Sequence, residues 1–166
     1  NQLFRYALVI VPGLEQNPAS DLDVVALPLP PVNHNPFLRM AELPKLLQRL
    51  RKYRGRLQTQ LGLRLLLFTG VRTGELRLAT PDQFDLDRGL WIIPPEVVKQ
   101  LQVDMRRKRQ LPKDIPPYIV PLSVQAIEIV RHLLEQLKPA QHYLFRHDSE
   151  LKKRMSENTL NGALKR

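Results

Sequence analysis

The segment "LLLFTGVRTGELRLAT", residues 65–80, limits the fold more than any other stretch of the chain. The apolar run from Leu65 to Phe68 must be buried, yet it stops at Thr69-Gly70, and two residues later stands a charge, Arg72. Residues 57–69 predict a helix that is apolar nearly all round at its end and therefore central. Gly70 is its expected left-handed cap. A short helix is predicted over about 73–79, with Thr73 as N-cap. Two helices flanking such a turn make a rigid platform that projects one guanidinium. Gly70 and Gly74 remove side-chain bulk on either side of it. The planar fork of Arg72 suits bidentate, charge-assisted contact with a phosphate. A structural pairing of Arg72 with Glu75 or Asp82 is the alternative reading.

The surrounding pattern is mixed. "NQLFRYALVI" (1–10) reads as a helix tail, ended by Pro12-Gly13, with a turn at Asn17-Pro18. Residues 22–36 carry four prolines and no strong period, which predicts a semi-rigid interdomain linker. The main domain is therefore expected from residue 37. Leucines 43, 46, 47 and 50 give a helix over 40–53 with basic residues on its other face. Pro44 falls in its first turn. The period then changes to alternation. "QFDLDRGLWIIP" (83–94) predicts a β-hairpin turning at 87–89. A long polar loop follows, then a third strand over 117–122. Ser123 caps a helix over 124–137. "HYLF" (142–145) is expected to be extended, and Ser156 to open a last helix. The fold class is α+β, mainly helical, with a small three-stranded antiparallel sheet.

Charge points to a partner. The net charge is +10 in 166 residues, with basic runs at 49–56, 106–109 and 152–154. A polyanion is the default partner for such a surface, because neutralised phosphates release counterions. A merely solvated basic surface is the alternative. No run is long and apolar enough to predict a membrane span, and the basic runs are not laid along one amphipathic helix with aromatic anchors. The absence of cysteine excludes disulfides and thiolate metal sites and fits a cytoplasmic protein. Asp82, Asp85 and Asp87 alternate in facing, and a turn accounts for Asp87 better than a metal does. No G-x-x-x-x-G-K-[ST] loop supports nucleotide hydrolysis. Trp91 is expected in the core of the hairpin. The chain opens mid-pattern without a Met or a basic leader, so a piece of a longer protein is expected.

"TGVRTGEL" (69–76), "FDLDRGLWIIPPEVVK" (84–99) and "YIVPLSVQA" (118–126), in this order, resemble the catalytic domain of tyrosine recombinases, the phage integrase family. The likeness is nearest to prophage integrases of enteric bacteria. It implies site-specific DNA recombination through a 3′-phosphotyrosyl intermediate. The bond energy is kept in the covalent link, so neither ATP, metal nor other cofactor is implied. It further implies double-stranded attachment sites as partners, a tetramer on DNA in the full-length protein, and a bacterial, nucleoid-associated location. Residues 1–21 become a remnant of the core-binding domain, which "EQNPASDL" (15–22) resembles at its exit, and 37–166 a truncated catalytic domain. Arg72 takes the role of stabilising the phosphorane, with Glu75 as its support. Lys99 best matches the lysine that protonates the leaving 5′-oxygen, with Lys108 as alternative; Lys113 lies in the same loop. Arg106, Arg107, Lys108 and Arg109 are candidate DNA contacts.

The resemblance also implies an H-x-x-R box, a further His or Trp and a nucleophilic tyrosine near the C-terminus, and the sequence departs from the family pattern in lacking all three. His34, His132, His142 and His147 are not followed by arginine three residues on, so no H-x-x-R box is present. Tyr6, Tyr53, Tyr118 and Tyr143 do not lie in a late helix behind such a box. Half of the family's active site is expected here, and no cleavage by the 166-residue chain alone.

Overall fold

The computed structural model describes residues 2–20 and 37–165. The expected linker at 22–36 lies outside them. Two units result, Asn1–Leu38 and Arg39–Arg166. In the first, helix α1 (Gln2–Ile10) buries none of its residues. It is followed by Gly13 at φ 85°, a conformation that glycine adopts without a Cβ clash. Asn17 then accepts the amide of Ala19 on its side chain (2.9 Å), as asparagine does in turns.

The second unit is built around helix α3 (Leu57–Thr69), which packs against α2 (Leu43–Arg51), α4 (Thr73–Arg77), α6 (Val124–Glu135) and α7 (Glu157–Leu164). Its buried residues are Thr59, Leu61, Gly62, Leu63 and Leu65. The expectation that its last turn is buried all round needs correction: Leu67 and Phe68 are exposed. Gly70 caps the helix at φ 65° and donates to the Leu66 carbonyl at 2.8 Å. In α2 only Leu50 is fully buried, so its leucine stripe is but partly covered.

Strands β1 (Phe84–Asp85), β2 (Leu90–Ile93) and β3 (Tyr118–Pro121) form one antiparallel sheet in the order β1-β2-β3. The register pairs Phe84 with Trp91 and Trp91 with Val120. Trp91, Ile93 and Val120 therefore share the buried face, as the period of two requires. Trp91 is fully buried, stacks on Phe84 with ring centroids 4.9 Å apart, and donates its indole N–H to Gln83 at 3.1 Å. It is a core residue. The hairpin turn is held by Asp85, whose carboxylate accepts the Arg88 amide at 3.0 Å. Pro121, which cannot donate to a ladder, sits on edge strand β3. Ser123 caps α6 by accepting the Ala126 amide at 3.3 Å.

Between β2 and β3 the structure departs from the expected polar loop. Residues Lys99–Lys108 form helix α5, and Pro112–Asp114 a 3-10 turn. The sequence "KQLQVDMRRK" consists mostly of good helix formers. Its basic last turn faces the negative end of the helix dipole. The helix hides from periodicity because only Met105 is fully buried, with Leu101 partly buried against the core.

Residues 142–145, expected to be extended, form a bend, and just beyond them Arg146 and Arg154 make an isolated antiparallel bridge. Leu144 and Phe145 point into the core, and the Leu144 amide donates to the Ala79 carbonyl at 2.8 Å. Phe145 is a wedge between α3 and α4: a Cβ on Gly62 would stand 3.1 Å from its ring and 3.4 Å from Leu76. Truncation of Phe145 to alanine is expected to lower stability by about 3–5 kcal/mol, the usual cost of emptying a large aromatic site. Urea denaturation measures it; a loss below about 1 kcal/mol would show that the wedge is dispensable.

Candidate active site

The site is built from the α3–α4 turn. Arg72 is the N-cap of α4, with extended backbone (φ −74°, ψ 150°). The expected cap, Thr73, is instead the first helical residue. The capping group comes from the other direction: Glu75, three residues on, reaches back and accepts the Arg72 amide at 2.8 Å. Its second carboxylate oxygen lies 3.4 Å from the Arg72 guanidinium. The Glu75 side chain is 4% exposed and that of Arg72 62%. A carboxylate so buried must be compensated by hydrogen bonds or an opposite charge, and Arg72 supplies both. The guanidinium is thus tethered at its inner edge and open to solvent. The pairing of Arg72 with Glu75 is thus present, and the rest of the Arg72 side chain remains exposed.

The glycines of the turn serve different ends. Gly70 is required by its positive φ. A Cβ on Gly74 would meet nothing within 4 Å, so no packing need demands glycine there and that flank of Arg72 is open.

Lys99 and Lys108 are the first and last residues of α5, which sets them about 13 Å apart along its axis. They cannot serve one phosphate together. Lys99 is exposed, as are Arg106, Arg107, Lys108 and Arg109. Among the described residues no carboxylate lies within ion-pair distance of any of these five. Arg109 ends α5 at φ 52°, where glycine is the unstrained residue. No hydrogen bond or ion pair among the described residues joins Arg72 or Glu75 to α5. The structure therefore joins Arg72 with Glu75 and leaves the two candidate lysines apart from each other. In the other basic runs, Arg56 pairs with Asp148 and Lys153 with Glu150.

One charge passed over in the sequence reading is Arg77, the last residue of α4, whose side chain is only 13% exposed. Burial first, and the charge of Arg154 second, pull its guanidinium below the ordinary arginine pKa, while Glu157 opposes them. The signal was available: a lone arginine among Leu76, Leu78 and Ala79, positions that a short helix has to pack.

Residues 36–166 match the model of the phage integrase family. The chain belongs to the phage integrase family. It is 40% identical over 165 residues to the integrase of Enterobacteria phage P4, covering 98% of this chain and 36% of that protein. It is 32% identical over 164 residues to the putative protein IntB of Escherichia coli K12, covering 98% of this chain and 40% of that protein. The chain thus spans less than half the length of these two relatives. In fold it is similar to the integrase of transposon Tn1549, solved in complex with circular intermediate DNA. The TM-score is 0.57 at 15% identity, over 91% of this chain and 48% of that one. Among the described residues no helix is long and apolar enough to cross a membrane.

Replacement of Glu75 by alanine is expected to cost about 1–3 kcal/mol, because it leaves the Arg72 amide without its acceptor. Glu75→Gln, which keeps one acceptor oxygen, should lose less. Thermal unfolding of the two variants side by side checks the order; equal losses would deny the amide contact its role.

Proposed function

We propose that this chain is the Arg72-bearing part of the catalytic domain of a site-specific DNA recombinase, with residues 1–21 the end of a core-binding domain. The observation that carries the reading is the exposed guanidinium of Arg72 braced on a buried carboxylate in a family of integrases. A fixed cation aimed outward suits a phosphodiester whose non-bridging oxygens gain charge as a nucleophile attacks. It needs no reorganisation at the moment of reaction, since Glu75 already holds its inner edge. In this reading the nucleophile is a tyrosine that forms a 3′-phosphotyrosyl bond and releases a 5′-hydroxyl. Lys99 is the favoured donor to that leaving oxygen and Lys108 the alternative. The unpaired run Arg106–Arg109 grips neighbouring phosphates. Double-stranded attachment sites are the proposed substrate, met by a tetramer of the longer protein.

The decisive comparison is Arg72→Ala in a longer integrase containing this segment. Binding should weaken by one contact, about 10-fold, while strand cleavage falls further, by about 10²–10³-fold in rate at saturating DNA. Equal losses in both would leave Arg72 a binding residue only, the reading of a DNA-binding module without chemistry. The 166-residue chain alone, given a nicked suicide substrate, should form no covalent adduct.

Binding of the chain to duplex DNA should depend steeply on salt. With roughly four to six phosphate contacts, the log–log slope is expected near −4 to −5. Neutralising Arg106, Arg107 and Arg109 together should flatten it by up to about 3. Fluorescence anisotropy over a salt series measures both, and a slope near zero would reduce the basic runs to solvated surface.

A further inference from the structure

We infer that Arg77 is a positioning residue for Arg72, acting through helix α4 and touching no substrate. The inference rests on the proposed role of Arg72 as the phosphate-facing cation.

Helix α4 has five residues. A helix that short has no stability of its own, so its direction is set by whatever holds its two ends. At the N-terminal end Glu75 ties the Arg72 amide. At the C-terminal end the Arg77 Nε donates to the Met155 carbonyl at 2.9 Å, and its Nη1 lies 3.8 Å from Glu157 in the first turn of α7. The acceptor belongs to a fixed frame. Met155 is 2% exposed, and its own amide donates to the Phe145 carbonyl at 2.7 Å. Two residues beyond Arg77, the Ala79 carbonyl receives the Leu144 amide. Between the two ends, Leu76 is fully buried beside the Phe145 wedge.

Arg77 is held at a cost. Its guanidinium is mostly withdrawn from water and lies near a like charge, Arg154. Its carboxylate partner Glu157 is largely exposed and at the limit of ion-pair distance. An ion pair at that distance with so exposed a partner adds little, which leaves the hydrogen bond to the Met155 carbonyl as the main contact of the guanidinium. What arginine adds over an apolar side chain is direction, because Nε–H fixes the end of α4 against one carbonyl. Arg72 and Arg77 are about 7.5 Å apart along the axis. Loss of the far anchor lets the helix pivot about Leu76 and moves the Arg72 guanidinium at its other end. Displacements well below a side-chain length matter for a group that must meet a phosphate bidentately.

The test uses the intact 166-residue chain with the variants Arg77→Met, Arg77→Lys and Glu157→Gln, and Ile129→Val as a core control on α6. The first readout is free of DNA. In nitrogen-15 NMR spectra, the Arg72 amide and Nε–H resonances should move in Arg77→Met, move back toward wild type in Arg77→Lys, and shift slightly in Glu157→Gln. In Ile129→Val they should stay in place. Arg72 resonances unmoved in Arg77→Met, or moved as far in Ile129→Val, would overturn the proposal. If Arg77→Met does not fold, the Lys and Glu157 variants decide it by the same signature: both unmoved overturns it.

The second readout is duplex binding in a double-mutant cycle. Arg72→Ala should cost about 10-fold in affinity in the wild-type chain and markedly less in the Arg77→Met background. The combination of Arg77→Met with the neutralised 106–109 run should be additive. Equal coupling to both sites would mean a general loss of stability and would also overturn the proposal. If the Arg72 resonances move as expected while Arg72→Ala leaves DNA affinity unchanged, Arg77 positions Arg72 and the phosphate reading of Arg72 falls.

Discussion

The buried carboxylate of Glu75 is the constraint on which the rest of the site depends. A charge at that depth is tolerable only if every acceptor is used. Among the described residues, the donors that reach its side chain both belong to Arg72. The contact therefore does three things together: it starts α4, it compensates the carboxylate, and it aligns the guanidinium. None of these can be altered without the others. A lysine at position 72 would keep the charge and, through its backbone, the amide contact, but lose the planar fork. An aspartate at position 75 would be a methylene short of the amide.

Behind this pair the core acts as a clamp. Phe145 fills the gap left by Gly62 of helix α3 and lies beside Leu76, and Trp91 and Val120 of the sheet join the same buried cluster. Leu144 and Met155, far from α4 in sequence, are bonded to residues that fix its end. The direction of Arg72 is thus a property of long-range contacts, although the motif that contains it is local.

Much of this was legible in the sequence because the signals were strong and short in range. The Gly70 cap, the alternation through Trp91, the Ser123 cap and the arginine turn each follow from a local rule and stand where that rule put them. What was missed is physical in origin. Helix α5 is legible only by propensity, since it contacts the core along too narrow a stripe to give a period. The N-cap was assigned to Thr73 because threonine is the better capping side chain, yet Glu75 supplies the carboxylate from within the helix. Leu67 and Phe68 were read as buried from their hydrophobicity, which says what a residue tolerates and not what covers it. Arg77 was overlooked because its acceptor, the Met155 carbonyl, lies 78 positions away.

The shallow seat of α5 has a consequence for how charge is delivered. Proteins open in parts, and an element with few buried apolar contacts detaches at far lower free energy than the core. With Val98 at its entry and only Leu101 and Met105 turned inward, α5 is such an element, and it carries Lys99, Arg106, Arg107 and Lys108. Its amides are expected to exchange with solvent sooner than those of α3 and the sheet. The cations thus sit on mounts of different depth: Arg72 on a helix tied to the core at both ends, and Lys99, Arg106, Arg107 and Lys108 on one with little turned inward.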